Sequence, residues 1–204
     1  MIGAAMEPTP PDRGPGRVII LNGASSSGKS TLAKELQRSL DEPFMYVSSD
    51  QFVASGMLPE RRDAEGPFSW WGEMRPRFFQ GFHRCLPALA GAGNDLVVEH
   101  VIEFRTWRDQ LSRLLAGFDV FLVGVHCDLA EIDRRERVRG DRRIGEGRGH
   151  VEVDGIHMFG PYDYEVDTTK GVSAELAESV LTAWRTRGVR RALIPLDAAG
   201  ERGA

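Results

Sequence analysis

Cysteine and lysine are both scarce in this chain of 204 residues. The two cysteines, Cys85 and Cys127, have no metal-ligand spacing, and each stands among apolar residues. That count excludes a disulfide-dense scaffold, and nothing in the sequence supports even one bridge; buried thiols in a reducing, cytoplasmic compartment are expected. No run of 18 or more apolar residues occurs, which excludes a transmembrane helix, and no membrane partner is expected. Residues 1–16 are rich in proline and glycine and lack an apolar core segment, so they read as a loose tail rather than a signal peptide. Excess positive charge is also missing: the net charge is −4, which argues against bulk binding of nucleic acid.

The rest of the composition is that of an ordinary globular protein, with 41% hydrophobic and 27% charged residues. The length suits a single domain with a sizeable core, expected over residues 17–187, with 188–204 as a C-terminal tail. Arg191–Leu196 within that tail either adds an edge strand or stays loose.

The three lysines are Lys29, Lys34 and Lys170, and the first of them closes the most informative stretch of the chain. Gly23-Ala24-Ser25-Ser26-Ser27-Gly28-Lys29-Ser30 fits G-x-x-x-x-G-K-[ST], the phosphate-binding P-loop. Glycines let the backbone fold back so that successive N–H groups point into one hollow, and the helix that follows adds its positive end. In that reading residues Gly23 to Thr31 cradle the phosphates of a nucleotide. Lys29 reaches the β- and γ-phosphates, and the Ser30 hydroxyl takes a place on Mg²⁺. The context agrees. Val18-Ile19-Ile20-Leu21 is a short apolar run of buried-strand type, and Leu32, Leu36 and Leu40 give the following segment one apolar stripe.

Further strands are expected at Phe44–Val47, Leu96–Val98, Val120–Val125 and Tyr164–Asp167, separated by helical patterns. Alternation of this kind points to an α/β fold, a parallel five-stranded sheet with helices on both faces. In such sheets ligands bind beyond the carboxyl ends of the strands. Asp50 falls at the end of the second strand, where two roles fit it: a helix N-cap or a catalytic group. Glu99 and His100 fall at the end of the third, where they would bind substrate or face a Mg²⁺-bound water; a lone histidine equally serves structure. Ser55–Trp71 has no clear period and reads as a lid or binding loop. Its Trp70 and Trp71 suit the wall of an acceptor site as well as they suit packing of the loop.

Arg75–Ala92 reads as a helix that Pro87 should kink or break. Asp128-Leu129-Ala130-Glu131 has the spacing of an Asp-type capping box. The stretch Arg139–His150 alternates arginine with glycine, charge on a flexible support. It reads either as a solvated loop or as a lid that carries guanidinium groups to a transferring phosphoryl group.

Several of these segments together resemble one family. Val18-Ile19-Ile20-Leu21-Asn22-Gly23 into the P-loop, Asp50, Val123-Gly124-Val125 into Cys127-Asp128, Arg139-Gly140-Asp141-Arg142 and Tyr164-Glu165-Val166-Asp167-Thr168-Thr169 occur in that order. The pattern is similar to that of the chloramphenicol phosphotransferase-like family of small P-loop kinases. The resemblance implies a shikimate-kinase-like P-loop fold with an Arg-rich lid, ATP and Mg²⁺ as cofactors, and transfer of the γ-phosphate to a hydroxyl of a small molecule. Residue by residue, Lys29 and Ser30 match the phosphate and Mg²⁺ groups, Asp50 the proposed catalytic base, and Arg139 and Arg142 the lid arginines. The chain departs from the family in Gly56–Trp71 and at Glu99-His100, where an acidic pair is expected, so the activity carries over better than the acceptor. Chloramphenicol, another antibiotic, a sugar or a nucleoside-like metabolite all fit as acceptor. A nucleotide-dependent ATPase switch acting on a protein partner is the alternative class.

Overall fold

The computed structural model describes residues 13–58, 71–139, 144–188 and 192–193. Twelve elements follow in chain order: β1 (Val18–Asn22), α1 (Lys29–Ser39), β2 (Phe44–Ser48), α2 (Ser49–Ala54), α3 (Trp71–Gly91), β3 (Asp95–His100), α4 (Arg105–Leu114), β4 (Val120–His126), α5 (Leu129–Arg139), α6 (Glu146–Glu152), β5 (Tyr164–Asp167) and α7 (Ala174–Thr186). The five strands form one sheet in the order β2-β3-β1-β4-β5. Every pairing is parallel, with Val18 opposite Leu96 on one side and Val120 on the other.

Side chains alternate across a strand, so β1 feeds two cores. Val18 and Ile20 face Phe79, Phe82, Leu86 and Leu111 of α3 and α4. Ile19 and Leu21 face Leu32 and Leu36 of α1 and Val180, Leu181 and Trp184 of α7. Burial on both faces is why β1 and β4 read as unbroken apolar runs. Arg17 ties the entry of β1 to that of β3: its backbone N–H donates to Asp95 Oδ1 at 2.7 Å and its guanidinium to Asp95 Oδ2 at 2.6 Å.

Three local expectations are corrected. Helix α3 begins at Trp71 and runs through both Pro76 and Pro87. Each proline removes one backbone hydrogen bond, but the apolar stripe of Phe79, Phe82, Leu86 and Ala90 is buried along the sheet and keeps the helix continuous. Half of the glycine–arginine stretch is helical: α6 is fastened to α5 by buried Glu136, which accepts the N–H groups of Gly145 and Gly147, both at 2.7 Å. Asp128 caps α5 through Ala130 N at 2.8 Å, while Glu131 turns to Arg134 and Arg135 instead of closing a capping box. Of Arg191–Leu196, Ala192 and Leu193 lie within the described residues; both are bends, buried against the first core.

Candidate active site

The P-loop joins β1 to α1 at the carboxyl end of the sheet. Gly23 is required there, because a Cβ would sit 2.4 Å from the Val125 carbonyl oxygen. Gly28 has φ +94°, and Ser26, at φ +61°, takes the left-handed region without being glycine. The Ser26 and Ser27 hydroxyls are buried and, among the described residues, have no partner. Buried polar groups are normally satisfied, so the orphan Ser26 hydroxyl, on a residue that lines the hollow, suits a polyanionic ligand.

Lys29 is only 4% exposed and donates from Nζ to the Ala24 carbonyl at 2.6 Å, across its own loop. Its Nζ is 3.8 Å from Glu99 Oε1. Ser30 Oγ donates to the same carboxylate oxygen at 3.0 Å. Tyr46 of β2 donates its hydroxyl to Glu99 Oε2. Burial, reinforced by the Glu99 charge, pushes the Tyr46 phenol up to about 12. The register that sets Ser48 opposite Glu99 brings these groups together.

Three arms hold the loop from above. Arg135 of α5 donates to the Ser26 carbonyl at 3.3 Å and to Thr168 O at 2.6 Å, and Thr168 donates its hydroxyl to the Ser27 carbonyl. His150 of α6 accepts the Ser25 N–H on Nδ1 at 3.2 Å. Burial holds the His150 imidazole below its ordinary pKa, which keeps that nitrogen an acceptor.

One cavity of about 930 Å³ runs over this floor. Ser25, Ser26, Gly28, Lys29, Ser30 and Thr31 line it, as do Asp50, Glu99, His100 and Arg139. Asp50 is exposed in the first turn of α2. It is not the N-cap; Ser48 is, in a capping box with Gln51. Arg139 is the last residue of α5. Gly23, Ala24 and Ser27 support the loop from beneath without lining the cavity. Trp71 opens α3, whereas Trp70 and Arg142 lie outside the described residues.

His100 is deeply buried, at 2% exposure. Its ring stacks on Trp107 at 5.6 Å with 9° between planes, and its Nε2 meets His83 Nε2 at 2.9 Å. Beside it, Arg75 pairs with Glu103 and lies 5.3 Å over the Phe79 ring. Arg75, Phe79 and Glu103 line the same cavity. Thr169, Lys170, Gly171 and Val172, which follow β5, line the cavity too, as does Arg134. None of Tyr46, Arg75, His83, Glu103 or Arg135 was marked by sequence reading. They carry no motif of their own, and only the spatial neighbourhood reveals them.

The comparisons agree with this geometry. The sequence model of the family described as "Chloramphenicol phosphotransferase-like protein" matches residues 16–185. A Mycobacterium tuberculosis (strain H37Rv) protein named "Putative O-phosphotransferase Rv2636" is 31% identical over 185 residues, covering 81% of this chain and 80% of its own. Among solved structures, M. tuberculosis APS kinase CysC in complex with AMPPNP and APS aligns with a TM-score of 0.61 at 21% identity, over 85% of this chain and 99% of that one. Shikimate kinase from Acinetobacter baumannii, in complex with shikimate, aligns at 0.58 and 15% identity, over 88% and 97%. These two likenesses establish the P-loop kinase fold. Together with the family match, which spans most of the chain, they place this protein in the chloramphenicol phosphotransferase-like family of P-loop phosphotransferases.

Proposed function

We infer that this protein moves the γ-phosphoryl group of ATP to a hydroxyl of a small molecule, with chloramphenicol or a related hydroxylated antibiotic as the leading acceptor. The carrying observation is that one cavity unites the P-loop, a carboxylate across from it at Asp50 and an arginine at the lid, Arg139. Phosphoryl transfer needs little covalent chemistry from the protein; it needs position and charge.

The residues also suit a divalent cation. Ser30 Oγ and Glu99 Oε1, 3.0 Å apart, are the hard oxygen donors that Mg²⁺ prefers. When bound, Mg²⁺ supplies neutralisation of charge on the phosphate oxygens. The chain's own groups do the rest. The loop N–H groups and Lys29 hold the phosphates. Asp50 accepts a hydrogen bond from the acceptor hydroxyl and aims its oxygen at the γ-phosphorus. A carboxylate with an ordinary pKa of about 3.9 is a weak base for an alcohol, so orientation matters more than basicity. Arg139 brings positive charge to the transferring group. The acceptor lies between Asp50 and the Phe79–His100 wall, and the nucleotide base toward Thr169–Val172. Both cysteines are free thiols, as suits a cytoplasmic protein, and among the described residues no helix is long and apolar enough to cross a membrane.

The test is ADP release with Mg·ATP, with and without chloramphenicol, followed by hydroxylated antibiotics, sugars and nucleosides. Stimulation by an acceptor, with one phosphate appearing on it per ADP, supports the reading. ADP release indifferent to every acceptor and raised by a protein partner replaces it with an ATPase switch.

A further inference from the structure

Three side chains from three elements form a line behind the acceptor end of the cavity. Gln110 Oε1 of α4 is 3.0 Å from His83 Nδ1 of α3, and His83 Nε2 is 2.9 Å from His100 Nε2 of β3. The chemistry of each atom fixes the next. An amide oxygen only accepts, so His83 carries its proton on Nδ1. The neutral ring then has a bare Nε2, which accepts from His100, so His100 carries its proton on Nε2. That leaves His100 Nδ1 bare. This nitrogen is buried and, among the described residues, has no partner, and its residue lines the cavity. Stacking on Trp107 and the Phe79 ring 5.7 Å away hold the imidazole in place. Burial, helped for His100 by the Lys29 and Arg75 charges and by the repulsion that a second proton on His83 would bring, keeps both imidazoles below their ordinary pKa, hence neutral.

We propose that His100 Nδ1 is an acceptor-only reading group that takes a hydrogen bond from an uncharged O–H or amide N–H of the phosphoryl acceptor. Gln110 and His83 are positioning residues that lock its tautomer. The inference rests on the phosphotransferase reading and narrows it to an acceptor class. A bare nitrogen repels a carboxylate or phosphate oxygen, and the neighbouring Arg75 is already committed to Glu103. The preferred acceptor therefore carries a neutral donor beside an apolar or aromatic face that meets Phe79, and not a carboxylate at that position. A satisfied core histidine has no such feature: a buried, unpartnered lone pair on a residue that lines the cavity.

The experiment has two arms on the full chain. In the first, long-range ¹H–¹⁵N spectra of protein loaded with Mg·AMPPNP locate the proton on each ring. Protonated Nε2 and bare Nδ1 on His100 are expected, kept in His83→Gln, whose amide oxygen still accepts from His100, and lost in His83→Phe. The opposite tautomer overturns the proposal. In the second, ADP release is measured with chloramphenicol (neutral, with hydroxyl and amide donors), shikimate and gluconate (both carboxylates). Chloramphenicol is expected to be favoured. His100→Phe should raise its KM about ten- to hundredfold with the KM for ATP unchanged, because a buried donor on the acceptor loses its partner. His100→Asn, with a polar atom near the δ position, should recover part of the loss. A working kinase that favours the carboxylates, or whose acceptor KM is unmoved in His100→Phe, overturns the His100 assignment alone. An ATPase indifferent to all three overturns the phosphotransferase reading, and the His100 assignment with it.

Discussion

A Cβ on Gly147 would lie 2.5 Å from the carbonyl oxygen of Ser25, so helix α6 meets the P-loop backbone to backbone. The same methyl would lie 2.6 Å from Ile132 Cγ2, which leaves α6 no direction in which to yield. Gly147→Ala is therefore expected to cost about 1–3 kcal/mol by overpacking. It should also part Ser25 from His150 and weaken AMPPNP binding. Thermal unfolding with and without AMPPNP checks both effects; an unchanged Tm would show that α6 does not press on the loop.

Asp50 lies in the first turn of α2 and lines the cavity. Asp50→Asn keeps the shape and removes the charge. Turnover should fall by roughly 10²–10⁴, the range for a positioned acid or base, while the KM for ATP stays within a few-fold. Single-turnover kinetics at saturating acceptor measures this, and near-normal turnover removes Asp50 from the mechanism.

Glu99 gathers Ser30, Tyr46 and, at 3.8 Å, Lys29. Glu99→Gln turns one oxygen into a donor facing other donors. The Mg²⁺ concentration for half-maximal activity should rise by about 10- to 100-fold, the scale on which groups around a metal site tune affinity. A titration of Mg²⁺ at fixed ATP reads it. Lys29→Ala, by comparison, should reduce ATP binding and rate together.

Four imidazoles, His83, His100, His150 and His157, have pKa values lowered mainly by burial, His157 to about 4. In the unfolded chain each titrates near 6.5, so between about pH 6.5 and 4 the unfolded state binds more protons than the folded one. Stability should hold above pH 6.5 and fall as the pH drops from there toward 4. Urea unfolding at pH 7.5, 6 and 5 checks the sign, and a midpoint that rises on acidification contradicts it.

The framework was legible in the sequence because β1 and β4 are buried on both faces and the P-loop has a fixed spacing. The positions of Asp50, Glu99 and His100 followed from one rule about strand ends, and all three line the cavity. What stayed hidden depended on register and packing. Tyr46 reaches Glu99 only because β2 lies beside β3, and His83 meets His100 only because α3 crosses that strand's end. Helix α6 was masked by glycines that look like flexibility, yet one of them, Gly147, is there for close approach to the P-loop. Ser48 holds the cap that was one of two roles open to Asp50, although Ser48-Ser49-Asp50-Gln51 spells a capping box that could have been read.

The place of β1 at the centre of the sheet governs how the protein is made. Its two hydrogen-bonded neighbours, β3 and β4, begin only at Asp95 and Val120. β1, which leads into the phosphate-binding loop, therefore lacks its second neighbour until β4 is complete at His126, past the midpoint of the 204 residues. Pairing of such distant segments is slow. Nucleotide then acts as a late clamp on the assembled sheet, since a ligand that binds only the folded form stabilises it by mass action.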